Sequence, residues 1–298
     1  MQIRYVKRDE INTKKWDSCI ARSVNGIVYA YSWYLDIVAP EWDALVGDDY
    51  KAVFPLVFGN KYGFDYLYQP TFAQQLGLFS VGPLSEKLLK RFVDLATPKF
   101  RYINIHLNTF LKVEPSSYKT VSHKTYHLDL IESYPKISNR FAIATKNSVS
   151  FAVAHGVQVV KGLSAFQILE LKQKANPEGL RRRQVEVFTQ LITTSVSNGM
   201  GELYGAYNEM NELCSAAFFL KSNGKIVFML SASNEDGVKL NAMFSIIDFV
   251  IRQYSEKRFV LDFEEAENEK TADFYQSFGA KECVYYQLII DNLPVNIS

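Results

Sequence analysis

The sequence predicts an α/β protein of two tandem domains, each a mixed sheet with flanking helices, and three observations carry the prediction. The 298 residues are about twice the ~150 of one ordinary domain. The second half reads, in order, as strand, helix, helix, three strands, helix, strand, helix, strand. The first half repeats much of that string without detectable identity between the halves, so the repeat rests on element order alone. The expected division is 1–135 for the N-terminal domain and 136–298 for the C-terminal domain, the latter including a linking helix.

Taken in order, Gln2 to Val6 reads as a strand, and Asn12 to Arg22 and Ser32 to Val38 as helices. Ala44 to Val46, Ala52 to Phe58 and Phe64 to Tyr68 read as a meander turning at Gly59-Asn60-Lys61. Leu88, Leu89, Phe92 and Leu95 share one helix face, with Ser85 placed as its cap, and Tyr102 to Leu107 is the strand after it. Pro115-Ser116-Ser117 and Tyr118 to Ile131 read as a link, followed by a helix from Ser138 to about Ala154. In the second half, Val157 to Lys161 opens as a strand. Phe166 and Leu169, then Val185, Phe188, Leu191 and Ile192, recur at helical spacing. Glu202 to Tyr207, Leu213 to Leu220 and Lys225 to Ser231 form a second meander, with turn formers between them. Leu240, Met243, Phe244, Ile247, Val250, Ile251 and Tyr254 mark a helix face, and Phe259, Leu261 and Phe263 alternate as in a strand. A helix from about Glu269 to Ser277 stops at Gly279, suited to a left-handed cap, before a last strand from Glu282 to Ile290.

Composition removes whole classes of function. A hydrophobic fraction of 48% is too high for intrinsic disorder. Lys+Arg 33 against Asp+Glu 32 leaves a net charge of +1, so any polyanion must be held locally. The three cysteines, Cys19, Cys214 and Cys283, are scattered with no metal-ligand spacing, so no metal site is expected. No apolar run of membrane-spanning length and no export signal are expected, which fits a cytoplasmic protein. No GxSxG, HExxH, GxGxxG or P-loop occurs.

The element order of the second half resembles the GNAT acyltransferase fold. Ala272-Asp273-Phe274-Tyr275-Gln276-Ser277-Phe278-Gly279-Ala280 is similar to the segment that closes many GNAT domains. Two such domains in tandem, with Ser231-Ala232-Ser233-Asn234 and Leu261-Asp262-Phe263-Glu264 in the second and Ser32-Trp33-Tyr34 and Tyr68 through Gly77 in the first, resemble the Fem family. That family comprises FemA, FemB and FemX type aminoacyl or peptidyl transferases and many uncharacterised bacterial relatives. The resemblance implies an N-acyltransferase acting on an amine of a cell-envelope (peptidoglycan) precursor, with aminoacyl-tRNA or acyl-CoA as donor and no tightly bound cofactor. The long helical hairpin of FemA-type proteins is missing, so the chain looks more like the compact FemX type. An acetyl-CoA-dependent transferase acting on an amino sugar or small amine is the alternative. Against it, Asn234 to Ala242 holds only Gly237 where acetyl-CoA enzymes carry a glycine-rich loop, and Glu235 and Asp236 would repel a pyrophosphate. A binding module that has lost catalysis is the third reading.

The resemblance places Tyr275 where many GNAT enzymes hold the phenol that protonates the leaving group; a core tyrosine anchoring the helix is the competing reading. Asp262 and Glu264, in an acidic run that helix capping and solvation would also explain, should share one side of their strand, opposite Phe263, so that one of them could take the amine's proton. Lys239, which looks like the basic position of Fem relatives, is the candidate for a precursor or tRNA phosphate, with a solvated helix-start lysine as the competing reading; Ser233 and Asn234 are further substrate-binding candidates. Tyr68, Gln69, Gln74 and Gln75 are polar groups on an apolar turn, suited to a sugar or peptide acceptor, with loop capping as the competing reading. Arg181, Arg182 and Arg183, near Lys172 and Lys174, form the densest basic cluster, read as a solvated face or an RNA contact.

Overall fold

The computed structural model describes residues 1–61, 63–113, 118–176 and 179–292. Two compact units separate, Met1–Lys124 with Cys283–Ser298 and Thr125–Glu282. The expected residues Pro115-Ser116-Ser117 lie outside the described residues.

In the first unit, β1 (Ile3–Val6) is followed by α1 (Thr13–Arg22) and α2 (Ser32–Val38). Asn12 caps α1 by accepting from the Lys15 N–H at 3.1 Å, and Trp16, Cys19 and Ile20 fill its buried face. Asp17 of α1 in turn accepts from the Ser32 N–H and hydroxyl at 2.7 and 2.8 Å, fixing where α2 begins. β2 (Trp42–Gly47), β3 (Ala52–Lys61) and β4 (Phe64–Tyr68) form the antiparallel meander. Its second turn comes later than expected, because Gly59, Asn60 and Lys61 are still paired to Tyr66, Asp65 and Phe64. β5 (Phe79–Ser80) pairs with β3, α3 (Glu86–Ala96) follows, and β6 (Tyr102–His106) joins β4 in parallel. Ser85 accepts from the Leu88 N–H as expected, and Leu89, Phe92, Val93 and Ala96 bury the α3 face against Ile103, Ile105 and Leu288. The unit is closed by Gln287–Asp291, antiparallel to β6.

β7 (Lys119–Asp129) replaces the expected link with a strand, since Tyr126, Leu128 and Leu130 are buried in the second core. The single helix expected from Ser138 to Ala154 is two, α4 (Tyr134–Asn139) and α5 (Ile143–Ala154). They break because Phe141 is drawn inward onto Phe278, ring centroids 5.2 Å apart, and Ala142 donates its N–H to Ser277 at 2.8 Å. β8 (Gln158–Lys161), α6 (Ala165–Ala175), α7 (Arg182–Ser197), β9 (Gly201–Tyr207), β10 (Leu213–Ser222) and β11 (Lys225–Ser233) give the second meander with its leading strand. α8 (Glu235–Lys239), α9 (Ala242–Tyr254), β12 (Val260–Asp262), α10 (Glu269–Ser277) and β13 (Lys281–Asp291) complete the chain. Gly279 adopts φ 84° after α10, the left-handed cap the sequence called for.

The two units share one plan, a meander, a helix, a strand parallel to the meander's last, and an antiparallel closing strand. The closing strands are exchanged along the chain. β6 takes the C-terminal β13, and β12 takes β7 through Val260↔Asp129, Leu261↔Leu128 and Asp262↔His127. The units therefore differ from the expected cut after residue 135, because pairing partners are not encoded by residue order.

The second unit's outer strands are fastened by one carboxylate. Glu202 on β9 accepts from Tyr254 (2.6 Å), Tyr204 (2.7 Å), Lys221 (2.9 Å) and Lys161 (3.0 Å). Burial opposes its ionisation, and these donors outweigh burial, holding the carboxyl at about 2. A depressed folded-state value means its stabilisation is complete above the unfolded carboxyl range near 4.5 and is lost as pH falls through about 2. Glu202→Gln is expected to cost about 3 kcal/mol at neutral pH. In urea unfolding the gap to the parent should shrink as pH falls from about 5 toward 2; an unchanged gap refutes the assignment.

Candidate functional site

β11 and β12 run together for only three residue pairs, Lys225↔Val260, Ile226↔Leu261 and Val227↔Asp262. β12 then ends and Glu264 adopts φ 64°, turning the chain away. From Phe228 to Ser233, β11 has a strand partner on the β10 side only among the described residues. Its open edge carries unladdered peptide groups, one of which, the Ser231 carbonyl, accepts from Lys172 Nζ at 3.0 Å.

Asp262 sits at the apex of this split, buried to 1% exposure. One carboxylate oxygen accepts from Thr125 Oγ1 at 2.7 Å and from the Glu264 N–H at 3.0 Å. The other accepts from Lys225 Nζ at 2.9 Å and lies 3.0 Å from His127 Nε2. Burial works against the charge, but Lys225, His127 and Thr125 overcome it and hold the carboxyl far below the usual range. With every acceptor direction taken, Asp262 is an anchor of the split and a poor proton acceptor. The expected pairing with Glu264 on one strand face does not form, because β12 has already ended and the left-handed Glu264 breaks the alternation.

Tyr275 lies on the other side of the sheet. Strand alternation sends Tyr126 and Phe263 to the face opposite His127 and Asp262. The Tyr275 ring stacks on Phe263 at 4.8 Å and leans on Tyr126 at 5.7 Å. It is 8% exposed, and its hydroxyl makes no hydrogen bond to any described residue. Burial first, then the charges of Glu264 and Glu267, push its ionisation well above the ordinary tyrosine range. The Glu264 charge thus acts on Tyr275, while the Asp262 side chain, bonded to the Glu264 N–H, projects from the opposite face of the sheet.

At the far end of β11, Ser233 Oγ is 2.7 Å from Ser215 Oγ, and Asn234 caps α8 through the Gly237 N–H at 2.8 Å. Gly237 is explained by packing: a Cβ there would stand 2.1 Å from the Cys214 carbonyl oxygen. Lys239 is exposed, and its ammonium lies 3.6 Å from Glu235 and 4.0 Å from Asp236 of its own helix. The basic cluster is likewise partly matched. Arg182 meets Glu186 at 3.2 Å, Lys174 meets Glu170 at 2.9 Å, and Lys172 is turned to Ser231. Arg181 precedes α7, and its N–H donates to Gln184 at 2.9 Å. Arg183 is exposed.

In the first unit, the amides expected to meet an acceptor mostly brace their own loop. Gln69 donates to the Ala73 carbonyl and accepts the His106 N–H at 2.9 Å. Gln75, fully buried, accepts the Thr109 N–H at 3.1 Å and donates to Gln74 Oε1 at 2.6 Å. Tyr34 donates to the Phe72 carbonyl, and Phe72 is held at φ 70°, a strained conformation for a bulky residue. Tyr68 is half-buried beside Tyr66, ring centroids 5.8 Å apart. It belongs to a polar sheet face that sequence reasoning missed. Asn104 donates to Tyr102 at 3.3 Å and accepts from Gln287 at 2.6 Å, and Gln287 Oε1 lies 3.1 Å from His123 Nε2. The His123 ring lies 4.9 Å from His106 and 5.3 Å from Tyr285. The available signal was the alternation Tyr102, Asn104, His106 against the buried Ile103 and Ile105. Among the described residues no three His, Cys, Asp or Glu side chains gather as a metal would require.

No family model matches the chain, and no curated protein does. Solved structures match along its length. FemX aligns with a TM-score of 0.71 at 12% identity, over 96% of this chain and 97% of that one. L-PGS from Bacillus licheniformis aligns at 0.59 and 9% identity, over 95% and 93%. The C-terminal domain of a putative lysylphosphatidylglycerol synthetase from Agrobacterium fabrum aligns at 0.55 and 8%, over 95% and 92%. With both meanders, both parallel additions and the split of β11 from β12 in place, the chain has the FemX-type fold of two GNAT-like α/β units.

Proposed function

We propose that this chain is an N-acyltransferase that moves an aminoacyl or other acyl group onto the amine of a cell-envelope precursor. The observation carrying the proposal is the split of β11 from β12, which leaves an open strand edge at Phe228–Ser233 within a fold similar to FemX over nearly its whole length. An open edge can receive the donor's amide or ester by strand-like hydrogen bonds. The amine nitrogen attacks the acyl carbonyl carbon, the bond to the donor's leaving atom breaks, and that atom needs a proton. Tyr275, kept protonated by burial and by Glu264 and Glu267, supplies it. Glu264, on the same side, takes the proton released by the amine, while Asp262 holds the two strands at the apex. Ser233, Asn234 and Lys239 are assigned to the donor side.

The acetyl-CoA alternative is disfavoured by α8, where the carboxylates of Glu235 and Asp236 already surround Lys239. Titration calorimetry with acetyl-CoA and filter binding with charged tRNA separate the donors. The expected result is salt-sensitive tRNA binding without micromolar acetyl-CoA binding. Neutralising Arg181, Arg182 and Arg183 should flatten the salt dependence by up to about one log unit per lost contact. Micromolar acetyl-CoA binding would transfer the reading to the alternative. Precursor binding without turnover on any donor would leave a binding module.

A further inference from the structure

A groove in the second unit lies away from the strand split and is absorbed by none of this chemistry. It is a cavity of about 550 Å³ between α4, α5 and α9. At its head, Tyr134 donates to Asp248 Oδ1 at 2.6 Å, and Arg252 donates to Tyr134 at 2.8 Å and to Asp248 Oδ2 at 3.2 Å. The guanidinium carbon stands 4.0 Å from the centre of the Tyr134 ring. Asp248 is satisfied by these two bonds. Arg252 spends one terminal nitrogen on them and keeps N–H donors for another acceptor. Lys146, across the groove, gives a single hydrogen bond to the Asn139 carbonyl at 3.1 Å. Two cations with donors to spare thus face one cavity.

Exposed aliphatic side chains stand beside the polar lining of this groove. Along α5, Ile143, Lys146, Ser150 and Val153 fall on one side at helical spacing, and Ile143 and Val153 are 79% and 65% exposed. Residues 133–169 contain no Asp or Glu but include Lys136, Arg140, Lys146 and Lys161. Asp248, the carboxylate that lines the groove, is bound to Arg252, and Glu132 to Arg140. Cations beside exposed branched aliphatics, with the groove's own carboxylate already paired, suit the surface of an acidic bilayer.

We propose that the α4–α5 face docks the protein on an anionic membrane surface, with a phospholipid phosphate held between Arg252 and Lys146 and with Ile143 and Val153 entering the headgroup boundary. A soluble anion would use the two cations and leave the aliphatic rim unexplained, so a bilayer is the occupant that accounts for both. The docking is independent of the acyl-transfer reading, since no residue of the strand split takes part.

The test is co-sedimentation of the full chain with vesicles of phosphatidylcholine alone and of phosphatidylcholine mixed with phosphatidylglycerol. Binding is expected only with phosphatidylglycerol and should weaken with salt. Lys146→Gln and Arg252→Gln should each reduce it about five-fold, and Val153→Asp should abolish it. Lys146 and Val153 are exposed, so those variants report on docking even where Arg252→Gln unsettles Asp248. The proposal is overturned by equal binding to both vesicles, by no binding to either, or by Lys146→Gln and Val153→Asp binding like the parent. Glycerol phosphate binding as tightly as the vesicles would also overturn it, as a small-anion site.

Discussion

Asp262→Asn is expected to destabilise the second unit by about 3–5 kcal/mol, the largest stability effect of any single substitution in the candidate site. The carboxylate is buried and ties together β7 through Thr125 and His127, β11 through Lys225, and the turn through the Glu264 N–H. Asparagine keeps the size and removes the charge, so Lys225 Nζ, whose side chain is 13% exposed, is left without its counterion. Lys225→Met alone should also be costly, since it strips the buried carboxylate of its nearest cation. The double variant should recover much of the sum, because it removes both charges together. The pH dependence has a fixed sign. The folded-state ionisation of Asp262 is depressed, so its contribution is complete above the unfolded range near pH ~4 and drains away only as pH falls below that. Denaturant unfolding of the parent, both singles and the double between about pH 7 and 3 measures all of this. A cost under about 1 kcal/mol for Asp262→Asn at neutral pH would show that the cluster is not the clamp its geometry describes.

How far the sequence reaches is clear from where particular residues went. Caps and helix faces were legible because their causes are local: Ser85 before α3 and Gly279 after α10 each act within one turn of the chain. The break between α4 and α5 was not, because it depends on Phe141 meeting Phe278, far along the chain. The exchange of β7 and β13 was hidden for the same reason, since either strand would pair equally well on local grounds. In the site, Asp262 was recognisable as special, but its chemistry was not. Its acidity is set by Lys225 and His127, which approach only when β7, β11 and β12 pair. Gln69 and Gln75 looked like ligand groups because amides on an apolar turn usually need partners. They have them within their own loop and in the strand beside it.

Tyr275→Phe is expected to lower turnover by about 100-fold or more while leaving stability within about 0.5 kcal/mol of the parent. The two readings of this residue predict opposite outcomes. A core tyrosine works through its ring, which phenylalanine reproduces on Phe263 and Tyr126. Its hydroxyl is bonded to no described residue, so nothing structural is lost with it. A proton donor works only through that hydroxyl. Tyr126→Phe is the matched control, because Tyr126 is similarly buried in the same aromatic cluster and its hydroxyl likewise makes no hydrogen bond to a described residue. Its loss should leave turnover unchanged. Because burial and the nearby Glu264 and Glu267 raise the ionisation of Tyr275, the phenol stays protonated through neutral and mildly alkaline pH. No alkaline fall in rate below about pH 10 should therefore trace to this residue. Single-turnover rates of the parent and both variants across that range, with the donor identified by the binding experiments, decide the matter. Parent-like turnover in Tyr275→Phe would return the residue to the core and leave the leaving group to be protonated by water.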